Sequence, residues 1–211
     1  MNLFLLITGA YLLGSIPTAV WVSKLFFGID IREHGSKNMG ASNTFRVLGT
    51  GWGIFVLVVD MAKAMAAVYL ANYVHESSWL GTEKMFWQLV LGLAAVVGHI
   101  FPVFAGFKGG KGVASLLGVV VAIQPWTALI SVGAFVIVVV LTKYISLGSL
   151  VGAGVFATCV FFAWSEDNSY LKWFAGISAL FIFMMHISNI RRLLKGTENK
   201  ISLRRKKRKD N

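Results

Sequence analysis

Charge is scarce in this chain of 211 residues: only 14% are Asp, Glu, Lys or Arg. A soluble domain usually carries about 25%. The deficit excludes water as the solvent for most of the surface. Cysteine is scarcer still. Cys159 stands alone, so neither an internal disulfide nor a cysteine-built metal site can form. Its neighbours Ala157, Val160 and Phe161 are apolar, whereas a reactive thiol needs an electropositive, accessible setting. Cys159 therefore reads as a small core residue. Two motifs are also missing. There is no G-x-S-x-G nucleophile elbow. There is no Walker A loop either, since Lys111 is followed by Gly112 and not by Ser or Thr. Nucleotide hydrolysis is not implied.

What the chain has instead is long apolar runs. Leu3 to Val22, Val113 to Thr142 and Ser146 to Ser165 contain no charge. Crossing roughly 30 Å of hydrocarbon takes about 20 helical residues. Hydropathy predicts seven helical segments, near 3–25, 52–72, 85–103, 113–123, 126–142, 147–164 and 172–190. Gln124-Pro125 interrupts one long run, and proline removes a backbone donor there. The 30 residues from Val113 to Thr142 exceed one untilted span, which favours a turn over a kink. The first run lacks a basic leader and is too long for a cleaved signal, so it reads as a retained span.

Basic residues then set the orientation. With the N-terminus outside, seventeen of the 20 Lys and Arg fall on the inside. The positive-inside rule selects that arrangement, with the C-terminus cytoplasmic. The short loops around Glu76–Glu83 and Glu166–Asp167 are then outside. The expected architecture is an all-α, seven-span membrane bundle: one polytopic domain over 1–199, then a basic tail over 200–211. The net charge is +11, and ten of the basic residues lie between Arg191 and Lys209. They directly follow a span, so anionic lipid headgroups are the expected partner, with no nucleic acid. Like charges repel, so the tail is expected to be disordered.

Three inside segments are rich in Gly, Ser and Asn as well as basic residues. The first runs from Asp30 to Arg46 and includes Ser36, Asn38, Ser42 and Asn43. Hydroxyls and amides can donate to phosphate oxygens, and Arg46 offers a fork for bidentate contact. An ordinary polar loop has the same composition. The second runs from Gly98 to Ser115 and holds Lys108, Gly109, Gly110, Lys111 and Gly112 before an apolar helix. Successive N–H groups of a glycine-rich turn form a concave anion site, and the helix adds its positive end. A basic loop resting on headgroups is the plainer alternative. The third runs from His186 to Glu198, and His186 and Asn189 share a helix face. His99 reads as a structural residue. Asp60 and Lys63 lie at i, i+3 inside the second span and are expected to neutralise each other.

These stretches, with Gly14-Ser15-Ile16-Pro17 and Asp60-x-x-Lys63, resemble the bacterial acyl-phosphate-dependent glycerol-3-phosphate acyltransferase family over nearly the whole chain. That family's pattern has Gly where Lys37 stands and Thr where Ser42 and Ser115 stand. Both Ser residues keep a hydroxyl, while Lys37 adds bulk and charge that could alter the local backbone. The resemblance implies transfer of a fatty acyl group from acyl phosphate to the sn-1 hydroxyl of glycerol 3-phosphate. Lysophosphatidic acid and phosphate would result, in the first step of phospholipid synthesis. The site would lie on the cytoplasmic side of the bacterial inner membrane. An acyl phosphate is already activated, so no metal or other cofactor is expected. The implied partners are the two substrates, membrane lipids and the upstream enzyme that forms acyl phosphate.

The expected roles follow from chemistry. Gly109, Gly110 and Lys111, with Ser36 and Ser42, hold a phosphate group; Asn38, Asn43, Gly112 and Glu198 also bind substrate, and Ser36 is counted among the catalytic residues. Lys108 and Arg46 stabilise developing charge. His186 orients the acceptor or acts as base, and Asn189 positions His186 or the acceptor. Glu198 fixes a neighbouring basic group. The departing phosphate is an alternative base. Direct transfer is favoured over an acyl-enzyme. No Asp stands five residues after His34, His99 or His186, which argues against the other common glycerolipid acyltransferase family. A transporter for an anionic phosphorylated metabolite is the rival reading, but it predicts a polar midplane and only Asp60 and Lys63 qualify.

Overall fold

A computed structural model describes residues 2–74, 84–163 and 168–201. Among the described residues the fold is entirely helical. The helices are α1 (Leu3–Gly14), α2 (Thr18–Phe27), α3 (Ala41–Val47), α4 (Thr50–Tyr69), α5 (Lys84–Ile100), α6 (Val113–Ile123), α7 (Pro125–Thr142), α8 (Ile145–Thr158), α9 (Ser169–Met185) and α10 (Ile187–Leu194). Helices are the natural outcome because lipid offers backbone groups no partner. The ends follow local chemistry. Asn2 caps α1 by accepting the Phe4 N–H at 3.0 Å. Pro125 opens α7, where its missing N–H costs nothing. Gly28 closes α2 in a left-handed conformation.

Five helical stretches are long and apolar enough to cross a membrane: Leu3–Phe27, Thr50–Tyr73, Lys84–Ala105, Pro125–Thr142 and Ile145–Ala163. Ser169–Met185 and Ile187–Leu194 make a sixth if they are one span bent by 58°. Val113–Ile123 has 11 residues, roughly 17 Å at 1.5 Å per residue, short of the hydrocarbon thickness. Length and composition thus give five or six spans where the sequence suggests seven, because α6 is too short to count. Each expected segment is largely helical among the described residues, though the first and the last are both broken in two, and Gln124 leaves helical geometry between α6 and α7 (φ −133°, ψ 69°). The outward faces are apolar: Phe162 is 85% exposed, Leu141 77% and Trp173 72%. Apolar surface on helices of this length is what a span presents to lipid. The expected acidic outer loops at 76–83 and 166–167, and the tail from 202 onward, lie outside the described residues.

Two features of the fold escape hydropathy. Ser15, Ile16 and Pro17 split the first span into α1 and α2. Pro17 cannot donate to the preceding turn. The last span breaks at His186 (φ −107°, ψ 7°).

Small residues bring the helices close. A methyl at Gly14 would collide with the Ala95 carbonyl, and Ala10 and Ala95 are fully buried at the α1–α5 contact. A second small core supports the first polar segment. Ile31, Met39 and Ala41 are buried with Ala19, Val20, Val22 and Val56. This anchors the segment in the bundle, so its polar residues are held and not trailing in solvent.

Candidate active site

The first polar segment is braced from within. Asn43 is fully buried, and its side chain is committed to backbone. Its Oδ1 accepts the Ser36 N–H at 2.8 Å, while Nδ2 donates to the Ile31 and His34 carbonyls at 3.0 Å each. Both amide hydrogens and one acceptor are thereby used. Asn38 accepts the Gly40 N–H at 2.9 Å just before α3. These two Asn residues shape the loop, and Ser36 stands exposed at its turn. Lys37 adopts φ 58°, the left-handed region. That region favours glycine, so a lysine sits there under strain.

The three segments are tied to one another. Arg32 joins the first to the second. It makes a two-pronged ion pair with Asp30 (Nε–Oδ1 2.9 Å, Nη2–Oδ2 2.7 Å), and Nη1 donates to the Ala105 carbonyl at 2.8 Å. Hydrogen bonds from Arg32 hold the Asp30 carboxyl well below the usual range. Lys111 joins the second to the third by donating to Asn189 Oδ1. Arg46 joins the first to the residue that follows the third, with Nη2 3.4 Å from the Asn199 carbonyl.

Glu198 is the hub of the third segment. Its side chain is 1% exposed. Oε1 accepts from Asn189 Nδ2 at 2.7 Å and from Ser146 Oγ at 2.8 Å, and Oε2 accepts from Arg192 Nε at 2.7 Å. Burial opposes its ionisation, but the hydrogen bonds from Asn189, Arg192 and Ser146 outweigh burial and hold the carboxyl below its ordinary value. Ser146 and Arg192 carry no assigned role in the sequence reading. Ser146 could have been suspected, since it follows Lys143 in the remaining loop that the charge pattern predicts to be inside.

Lys111 has its pKa pushed down to about 8, first by burial, then by Arg192 and Arg46, with Glu198 opposing. Burial also lowers Arg46, with Glu198 opposing and Arg192 adding to the fall. Arg46, Lys111 and Arg192 are thus within electrostatic reach of one carboxylate. The group carries a surplus of two positive charges in a partly desolvated setting. A dianionic phosphate would neutralise that surplus.

His186 is buried at the α9–α10 break, and its Nδ1 lies 2.8 Å from the Ile182 carbonyl. A carbonyl only accepts, so Nδ1 carries the hydrogen, and in the neutral ring Nε2 keeps the lone pair. Asn189 follows one turn later on α10. In the second segment Gly110 and Gly112 are buried and Gly109 half-buried, whereas Lys108 is exposed. Ser42 is half-buried on the first turn of α3. Among the described residues, Lys108 and Ser42 make no hydrogen bond or ion pair in this network. Ser115, at the start of α6, is buried with its hydroxyl unpartnered, and so is Arg46 Nε. No group of three or more His, Cys, Asp or Glu among the described residues could hold a metal ion.

The family model described as glycerol-3-phosphate acyltransferase matches residues 4–196. A glycerol-3-phosphate acyltransferase from Fusobacterium nucleatum subsp. nucleatum is 41% identical, over 95% of this chain and 98% of its own. One from Listeria monocytogenes serovar 1/2a is also 41% identical with the same coverage. Among solved structures, PlsY (YgiH), an integral membrane glycerol 3-phosphate acyltransferase, superposes in its glycerol 3-phosphate form with a TM-score of 0.81. The identity is 36%, over 94% of this chain and 95% of that one. Its lysophosphatidic acid form gives 0.80 at 35% identity, over 95% of each chain. The helical membrane fold, the converging polar segments and this similarity along almost the full length establish that the chain belongs to the glycerol-3-phosphate acyltransferase family.

Proposed function

We propose that this acyltransferase moves a fatty acyl group from acyl phosphate to the sn-1 hydroxyl of glycerol 3-phosphate, releasing phosphate and lysophosphatidic acid. The observation that carries the reading is the cationic surplus of Arg46, Lys111 and Arg192 around Glu198, where the three polar segments meet. Both substrates bear phosphate, and such a site takes phosphate. The PlsY relatives in their glycerol 3-phosphate and lysophosphatidic acid forms support the acceptor and the product. The donor is inferred from the glycine loop and the lipid boundary, which suit a molecule anionic at one end and apolar at the other. An open apolar groove lined by Leu12, Leu13, Trp21 and Phe104 lies beside the second segment and suits an acyl chain.

In this reading Gly109, Gly110, Gly112 and Lys111 cradle one phosphate, with Ser36 and Ser42 at its edge. Arg46 and Lys108 stabilise charge that builds on oxygen as the carbonyl is attacked. The acceptor hydroxyl bonds to the acyl carbon, the carbon–oxygen bond to phosphate breaks, and the hydroxyl proton goes to His186 Nε2 or to the departing phosphate. Asn38 and Asn43 shape the loop under Ser36. Asn189 and Glu198 hold Lys111 in place. Residues 1–199 act as one domain, and the site faces the cytoplasm of the bacterial inner membrane. The short α6 makes the seventh pass, with the N-terminus outside, which keeps most basic residues inside. The upstream enzyme that forms acyl phosphate supplies the donor.

Purified protein in detergent, given palmitoyl phosphate and glycerol 3-phosphate, should release phosphate only when both are present. Lys111→Ala and His186→Ala should each lower kcat/KM by at least ~100-fold. A loss under about threefold removes that residue from the mechanism. Folded protein that releases no phosphate refutes the reading and leaves anion transport, tested by uptake into vesicles, as the alternative.

A further inference from the structure

The glycine loop rests on an ionic cluster buried inside the bundle. Asp60, Lys63 and His99 are 1%, 5% and 2% exposed. Three acceptors surround Lys63 Nζ: Asp60 Oδ1 at 2.8 Å, the Ile16 carbonyl at 2.8 Å and His99 Nδ1 at 3.1 Å. An ammonium has three hydrogens and no lone pair, so all three are used and Nδ1 must accept. The ring hydrogen of His99 then resides on Nε2. Nε2 lies directly against the loop, because a side chain at Gly110 would collide with it. The Gly110 N–H also donates to the His99 carbonyl at 3.1 Å. A side chain at Gly109 would meet the His99 and Ile100 carbonyls. The floor of the loop is thus His99 itself, by ring and by backbone.

Mutual neutralisation accounts for only one of these contacts. It needs Asp60 and Lys63 and nothing else. As a stabilising device the pair is poor: desolvating two charges offsets most of their attraction, and an apolar pair of similar volume serves as well or better. Asp60 Oδ2 is buried without a partner among the described residues, which adds to the cost. An apolar pair, however, could not donate to Nδ1 or cap the Ile16 carbonyl where Pro17 breaks the first span.

We propose that Asp60 and Lys63 are positioning residues for acyl transfer: anchored by Asp60, Lys63 fixes the tautomer and tilt of His99, and the ring sets the seat of Gly110 in the loop that takes phosphate. This rests on the phosphate-binding reading of that loop. Neither charged group touches substrate. Their effect passes through the His99 ring to the loop backbone.

The test is Asp60→Asn combined with Lys63→Met in the full-length protein, with kcat and KM measured for both substrates beside thermal unfolding. With both charges removed no charge is left unpaired, but the Ile16 carbonyl and His99 Nδ1 lose their donor, so the melting temperature should fall by about 4–10 °C while the protein still folds. Activity should nonetheless fall on the order of 10²-fold, since a shift of about 1 Å at a reacting site costs that much. The loss should appear chiefly as a raised KM for glycerol 3-phosphate or palmitoyl phosphate. Lys63→Arg, which still donates to Nδ1, should recover at least tenfold over Lys63→Met. A folded double variant within threefold of wild-type activity overturns the proposal, because the pair then only neutralises itself. If the double variant does not fold, the cycle of His99→Ala and Gly110→Ala decides. Contact between ring and loop requires that the second substitution add less than threefold to the first, and fully multiplicative losses overturn the proposal. Wild-type protein that is inactive with both substrates removes the phosphate role itself, an outcome distinct from an active wild type with an active double variant.

Discussion

Replacing Glu198 with Gln tests the site most sharply, because one atom type changes while the shape is kept. The carboxylate accepts from Ser146, Asn189 and Arg192 at 2.7–2.8 Å. An amide can satisfy Ser146 and Asn189 through its oxygen, but its NH2 then faces the Arg192 N–H, donor against donor. A hydrogen bond to a charged group contributes about 1.5–3 kcal/mol. Arg192 is 39% exposed, so solvent takes part of that, and about 2 kcal/mol is a fair allowance. If the full amount is needed to hold Asn189 and Lys111 in place, kcat/KM falls roughly 30-fold, at tenfold per 1.36 kcal/mol. The change also moves a titration. Glu198 is the one neighbour that raises the Lys111 pKa, which burial and the two arginines push down to about 8. Without it Lys111 loses its proton at lower pH, and the alkaline limb of the pH profile should move toward neutrality. The assay is phosphate release from palmitoyl phosphate at varied glycerol 3-phosphate, from pH 6 to about 9. A folded Glu198→Gln protein within threefold of the wild type, with an unmoved alkaline limb, would refute the hub role of Glu198.

Other consequences follow from the same geometry. In the wild type, Lys111 is a cation below its pKa of about 8 and neutral above it. The KM for the phosphate it holds should therefore rise as pH passes through about 8, and saturating substrate should shift that point upward; a flat profile to about pH 9.5 would contradict the assignment. Lys37→Gly should relieve left-handed strain of about 1–2 kcal/mol, partly offset by the greater freedom of glycine in the unfolded chain. The melting temperature should rise by about 2–4 °C, and a fall would show that the lysine makes a compensating contact. Asn43→Ala should free the Ser36 N–H and the Ile31 and His34 carbonyls together, lowering both stability and activity. A change in neither, by thermal unfolding and phosphate release, would mean that the loop is held by its apolar residues alone.

The membrane class, the helical segments and the three polar segments were legible in the sequence because each is written locally. Apolar runs mark helices in lipid. Runs of Gly, Ser, Asn and Lys mark the segments that leave the apolar helices. Even the approximate break at Gln124-Pro125 is a local property of proline. The number of crossings was not legible by the same rule, because α6 is too short to count by length.

What the tertiary structure alone decided is which residues meet. Arg32 reaches Ala105, Lys111 reaches Asn189, and Ser146 reaches Glu198, across separations of 73, 78 and 52 positions. Lys63 looked like one half of an i, i+3 pair, yet its other two hydrogens go to Ile16 and His99, 47 and 36 positions away. No local pattern encodes such contacts. They depend on how helices cross and on which backbone breaks leave a carbonyl open, and those are settled only when the bundle packs.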